Sequence, residues 1–264
     1  MRDREVSPRS LFAAANISGI ADKHMKTALL ATAFIFLSAG MASAADAGAT
    51  LPVAAAYDWS GAYIGTQAGY GWGDARVGQT FLPDSFGGYG WDYGSLSGGF
   101  GGLYAGYMKQ FGSGVVVGVE GDYSFANFKD TTLYQALGVD DPAFGGLLEL
   151  SAVGSVRLRA GYAMDRWLPF VTGGLALAKY RHTTVDLPSG DAYAEAADTV
   201  TGYTLGGGAE YAVTDNWVVR GEYRFADFGR HTSIRHSTFD GSEVKPDAIE
   251  LKTHDIRFGI AYKF

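Results

Sequence analysis

Six residues near the C-terminal end could do chemistry. His231, Ser233, His236 and Ser237 lie close together, and His254 is followed by Asp255. A serine, a histidine and an acid can supply a nucleophile, its base and the group that orients the base. Such a set would attack an ester, a lipid ester if the chain lies in a membrane. The spacing is irregular, and irregular sets of this kind have low specificity. The chain has no cysteine, which excludes thiol catalysis and Cys-ligated zinc or iron–sulfur sites. Asp140-Asp141 and the run Asp186, Asp191, Glu195 and Asp198 lack the Asp-x-Asp/Asn-x-Asp/Asn-Gly spacing of a calcium loop. The Gly-x-Gly matches precede no helix, so they are not nucleotide motifs. The basic groups do not cluster, so no nucleic-acid partner is expected. The expectation is a non-enzyme with no cofactor and no metal.

A second set of charged residues is more regular. Glu120, Asp122, Arg157, Arg159, Glu210, Arg220, Glu222, Arg224, Asp255 and Arg257 each sit at an alternate position within an otherwise apolar, glycine- and aromatic-rich stretch. Alternation puts successive side chains on opposite faces of a strand. Mixed-sign charges sharing one face are expected to pair, because an unpaired buried charge is costly. These ten residues are the candidate ion-pair network.

The elements that carry them read as eight period-two segments, about 60–72, 98–111, 115–128, 150–163, 169–181, 200–213, 217–228 and 250–264. Each is long enough to cross a bilayer as a tilted strand. Short turns at Gly112-Ser113-Gly114, Asp165-Arg166 and Thr214-Asp215-Asn216 alternate with long polar connections of roughly twenty residues, which soluble domains seldom hold in such number. Alternation alone also fits a soluble β-sandwich. The aromatic residues favour a membrane. Tyr162, Trp167, Tyr211, Trp217, Tyr262 and Phe264 fall near the short turns. Tyr70, Trp72, Phe125, Tyr180 and Phe225 fall near the long connections. Two such levels match the two interfaces of a bilayer. Segment 5 reads in either register. The predicted fold is all-β: an eight-stranded antiparallel up-and-down transmembrane β-barrel with short periplasmic turns and four long extracellular loops.

The N-terminus fits export to that location. Lys26 and the apolar run Ala28 to Leu37 are followed by Ala42-Ser43-Ala44, a small-x-small cleavage site. The run is too short for a spanning anchor. The expected organisation is 1–24 as a mis-assigned N-terminal extension ahead of a start at Met25, 25–44 as a cleaved signal peptide, 45–58 as a flexible periplasmic lead, and 59–264 as the barrel. Removing 1–44 leaves a net charge of −9 on the mature chain, and all of it falls in the four long connections.

Asp58-Trp59-Ser60-Gly61-Ala62-Tyr63-Ile64-Gly65, followed by Ala68-Gly69-Tyr70-Gly71-Trp72-Gly73, resembles the opening strand of the alphaproteobacterial OmpA/opacity-like outer-membrane proteins, the surface-antigen barrels often called "porin family". The end, with Phe258, Ile260, Tyr262 and Phe264 at alternate positions, is similar to the C-terminal signal read by the barrel-assembly machinery. The resemblance covers about 57–264. It implies a structural protein of the Gram-negative outer membrane that contributes to envelope integrity and makes surface contacts through acidic loops. Its implied partners are outer-membrane lipid and lipopolysaccharide, the assembly machinery, and host or surface ligands. Two other readings stand beside it: a narrow channel for ions or small solutes, and the lipid-modifying enzyme considered above.

Overall fold

The structure is a computed structural model that describes residues 57–79, 90–136 and 139–264. The described residues form strands and turns, with no helix among them. The strands are β1 (Gly61–Gln79), β2 (Gly90–Gln110), β3 (Val115–Ala136), β4 (Val139–Tyr162), β5 (Trp167–Asp186), β6 (Asp191–Ala212), β7 (Trp217–Ser237) and β8 (Glu243–Lys263). Each pairs antiparallel with the next, and β8 pairs back onto β1, as in Tyr63↔Lys263 and Tyr70↔Ile256. Among the described residues, each strand therefore has a hydrogen-bonded neighbour on both sides.

The lower turns follow from local chemistry. Asp165 takes a positive φ of 53° in the β4–β5 turn, and Gly114 takes 84° in the β2–β3 turn; Asp and Gly tolerate that conformation. The β6–β7 turn is held by Thr214, whose Oγ1 accepts from the Trp217 N–H at 2.9 Å.

Above this floor the sequence reading needs correction. Over their described residues, the four long connections are mostly strand and not loop. The antiparallel ladder continues through them, with Thr131↔Leu147, Thr184↔Ala194, Val77↔Trp91 and Ser233↔Asp247 in register. Strands of 19–24 residues run roughly 60–80 Å at about 3.3 Å per residue. The apolar outer band of a transmembrane β-barrel is only about 25 Å tall. The hairpins extend well beyond it.

The flexible lead also needs correction at its end. Tyr57 is buried against the lower mouth. Residues 1–56, which hold the expected signal segment and the rest of the expected lead, lie outside the described residues.

Candidate functional site

The interior is a stack of three layers, and the charged one lies in the middle. The register creates it. Glu120 faces Arg157 across β3–β4, Glu210 faces Arg220 across β6–β7, and Glu222 and Arg224 face Arg257 and Asp255 across β7–β8. Opposite charges on directly paired positions stabilise a sheet. All ten predicted network residues point inward.

Arg157 is the hub. It donates to Glu120 and Glu222 through separate guanidinium nitrogens, and to Thr172 Oγ1 at 3.0 Å. Arg220 reaches Glu120 at 2.6 Å, and Arg159 reaches Glu210 at 2.9 Å. Asp122 accepts from Arg224 at 3.1 Å and Arg257 at 3.4 Å. Arg257 also grips Asp255 with two parallel bonds of 2.7 and 2.8 Å, the bidentate geometry that makes arginine strong. Five arginines meet five carboxylates, so the layer is neutral. Neutral residues complete it. Tyr63 donates to Glu120 at 2.7 Å, Gln67 donates to Ser124 at 3.1 Å, and Ser155 donates to Asp122. Arg220 stacks 3.8 Å from the Tyr104 ring centroid. Sequence reasoning missed Gln67, Thr172 and Tyr104. Their inward parity was the available signal, but β1, β2 and β5 alternate weakly.

Apolar layers lie on both sides. Below are Tyr104, Met108, Val116, Leu168, Ala212, Val218 and Ala261, with Trp59. Above are Leu96, Phe128, Leu148, Leu150, Val200, Ile249 and Leu251, among others. Tyr180 belongs to this upper layer at 2% exposure, so it is not an outer-girdle residue. Segment 5 resolves into the register with Phe170, Thr172, Ala176, Ala178 and Tyr180 inside, and Val171, Leu175 and Leu177 outside. The other girdle residues lie on the outer face. Tyr70, Trp72, Phe125, Tyr162, Trp167 and Trp217 are exposed. Tyr211 packs on Trp167 at 4.8 Å and Phe225 on His254 at 5.0 Å. Phe258, Ile260, Tyr262 and Phe264 also face outward.

Among the described residues, the histidines and the acid of the catalytic alternative are not brought together. Asp255 points inward to Arg257, whereas His254 points outward, bonded to the Tyr223 hydroxyl at 2.7 Å and stacked on Trp72. His231 is occupied by the backbone oxygens of Phe228 and Thr201. Among the described residues, no group of three or more His, Asp or Glu is placed to hold a metal ion. At the lower mouth, burial and the nearby Asp215 and Glu210 push the Tyr57 hydroxyl up to about 12.

Residues 32–264 match the family described as the outer membrane protein beta-barrel domain. The chain belongs to this family. The 31 kDa outer-membrane immunogenic protein of Brucella melitensis is 32% identical over 251 residues, covering 91% of this chain and 100% of that protein. The 22 kDa outer membrane protein of Rhizobium leguminosarum is 33% identical over 179 residues, covering 67% of this chain and 68% of that one. Among solved structures, the outer membrane protease OmpT of Escherichia coli superposes with a TM-score of 0.51 over 80% of this chain and 99% of its own, at 9% identity. That likeness shows the fold alone. Family membership fixes the location as the Gram-negative outer membrane. In that setting the outward apolar belt faces lipid, and the protein is a structural surface β-barrel.

Proposed function

We propose that this family member is a sealed, eight-stranded, up-and-down transmembrane barrel. Its short turns face the periplasm, and its long β-hairpins stand above the outer leaflet. Residues 25–44 are removed as a signal peptide. Phe258, Ile260, Tyr262 and Phe264 form the segment that the barrel-assembly machinery reads, and the outward aromatic residues form the two girdles. The protein serves as a stiff structural element of the envelope. Its acidic hairpins contact lipopolysaccharide, through divalent cations, and molecules outside the cell. The name of the Brucella relative, an immunogenic protein, supports an exposed position for the hairpins.

One observation carries the sealed reading: the inward-facing charged side chains are almost wholly buried. Of the five inward arginines, Arg157 and Arg257 have 1% exposure and the other three no more than 4%. An eight-stranded barrel has an interior just wide enough for side chains to fill, and here neutral ion pairs and apolar layers fill it in series. The test is single-channel recording in a planar bilayer, using protein purified from outer membranes that migrates as the folded form on an unboiled gel. The expected outcome is no steady current. A reproducible open level would overturn the sealed reading in favour of a narrow channel.

A further inference from the structure

The Asp58-Trp59-Ser60-Gly61 motif crosses the lower mouth and enters β1 at Gly61. A chain segment leading into a domain is ordinarily solvated and loosely held. This one is not. Trp59 is 0% exposed. Its indole N–H donates to the Asp165 carbonyl at 3.0 Å, and its backbone N–H donates to Gln110 Oε1 at 2.8 Å. Ser60 Oγ accepts from the Gln110 N–H at 3.0 Å, and Asp58 Oδ1 accepts from the Ser60 N–H at 2.8 Å. The Asp58 carbonyl accepts from Lys263 Nζ. Tyr57 packs edge-on against Trp59 at 4.9 Å, and its hydroxyl donates to the Asp215 carbonyl at 3.3 Å. Gly61 has a φ of +138°, and a Cβ there would lie 2.9 Å from the Phe264 carbonyl. The segment is thus tied to the end of β2, the β4–β5 turn, the β6–β7 turn and the end of β8.

We propose that residues 57–61 form a strap that stoppers this mouth. It keeps water out of the apolar floor, and through the floor out of the ion-pair layer above. Each residue type in the motif has a task. Asp58 shapes the turn, Trp59 is the stopper, Ser60 locks to β2, and Gly61 allows the close approach to the chain end. The contacts around the mouth hold the strap whichever side of the membrane it faces.

The chain has no cysteine, so one introduced thiol reports on one place. Ala212→Cys puts it in the floor cluster with Trp59, at a position of 0% exposure. In the full-length protein in detergent, a water-soluble maleimide is expected to label this thiol slowly. Adding Trp59→Ala should speed labelling about tenfold or more, because protection follows the free energy of local opening. A thiol from Leu150→Cys, in the upper layer, should label at the same rate with or without Trp59. Each sample is first checked for the folded band on an unboiled gel. If Trp59→Ala does not fold, Gln110→Ala serves in its place, since it frees the strap without touching the floor. Rapid labelling of Ala212→Cys with the strap intact would overturn the proposal. So would labelling that neither strap variant speeds in folded protein.

Discussion

The lower and upper parts of the same strands solve opposite problems. Along β8, Ile260, Phe258 and Ile256 face outward while Arg257 and Asp255 face inward. Further along, Lys252 faces outward while Leu251 and Ile249 face inward. The period of two is unbroken, but the polarity has reversed. β1 does the same, from Gln67 inside and Ile64 outside to Val77 inside and Arg76 outside. In the lower part lipid is the solvent and the lumen takes the charges. In the upper part water is the solvent, and the interior is an ordinary hydrophobic core. Alternation therefore specifies the strand, and the surroundings specify which face is apolar.

The largest test of this contrast is in the charged layer. Arg157→Met should cost about 3–5 kcal/mol, because it leaves Glu120 and Glu222 short of a partner in a dry site. The measurement is the urea midpoint of protein folded into lipid vesicles. Pairing it with Glu222→Leu should recover part of the loss. A cost below about 1 kcal/mol, the worth of a surface ion pair, would mean that water reaches the layer. Next in size is the upper core. Leu148 is fully buried there, and Leu148→Ala should cost about 2–5 kcal/mol. If the hairpins moved freely, the same change would fall within roughly 0.5 kcal/mol of zero, as surface changes do.

How much of this was legible in the sequence follows from the same reversal. The ten network residues stood out because charge at fixed parity is rare among Gly, Ala and aromatic neighbours. The outward face of β8 stood out because five large apolar residues alternate there without a break. The upper hairpins did not. Ala75 and Val77, or Ile249 and Leu251, alternate with Arg and Glu as in any soluble sheet, and they stand among Gly, Asp and Pro that signal turns. A search for lipid-facing strands stops where the polarity turns over, and so the connections read as loops. Tyr180 was misplaced for a related reason. An inward tyrosine just above the charged layer has the same residue type and height as a girdle tyrosine. Its pairing with Leu150, a contact distant in sequence, decides the face. The strap left no periodic trace, since residues 57–60 precede the first strand.

A matched pair of valines sharpens the contrast further. Val156 and Val139 are both on β4 and about equally exposed, at 70% and 69%. Val156 lies among the outward apolar residues beside Leu158, and Val139 lies at the far tip of the hairpin. Arginine at Val156 should cost about 2–4 kcal/mol if the site is near the bilayer midplane. Arginine at Val139 should stay within roughly 0.5 kcal/mol of zero. Both are read from the same vesicle titrations. Equal costs would break the division between a lipid-facing belt and a water-facing extension, because exposure alone would then explain the result.

The smallest expected effect concerns an ion pair that looks strong by distance. Lys129 and Glu149 meet at 2.5 Å on the outer face of the upper hairpin, with the lysine side chain about half exposed. Arg220 and Glu120 meet at a similar 2.6 Å inside the lumen. Geometry does not separate them, but solvent does. Water screens the outer pair and hydrates either partner when the other is removed, so a double-mutant cycle on Lys129→Ala and Glu149→Ala should give a coupling of only about 0.2–1 kcal/mol. That coupling should shrink in high salt, because exposed charges are screened over a shorter distance as ionic strength rises. The inner pair should keep its coupling in the same salt. A salt-insensitive outer pair of several kcal/mol would mean that the outer face of this hairpin is dry, and the boundary between the two regions would then have to move outward along β3 and β4.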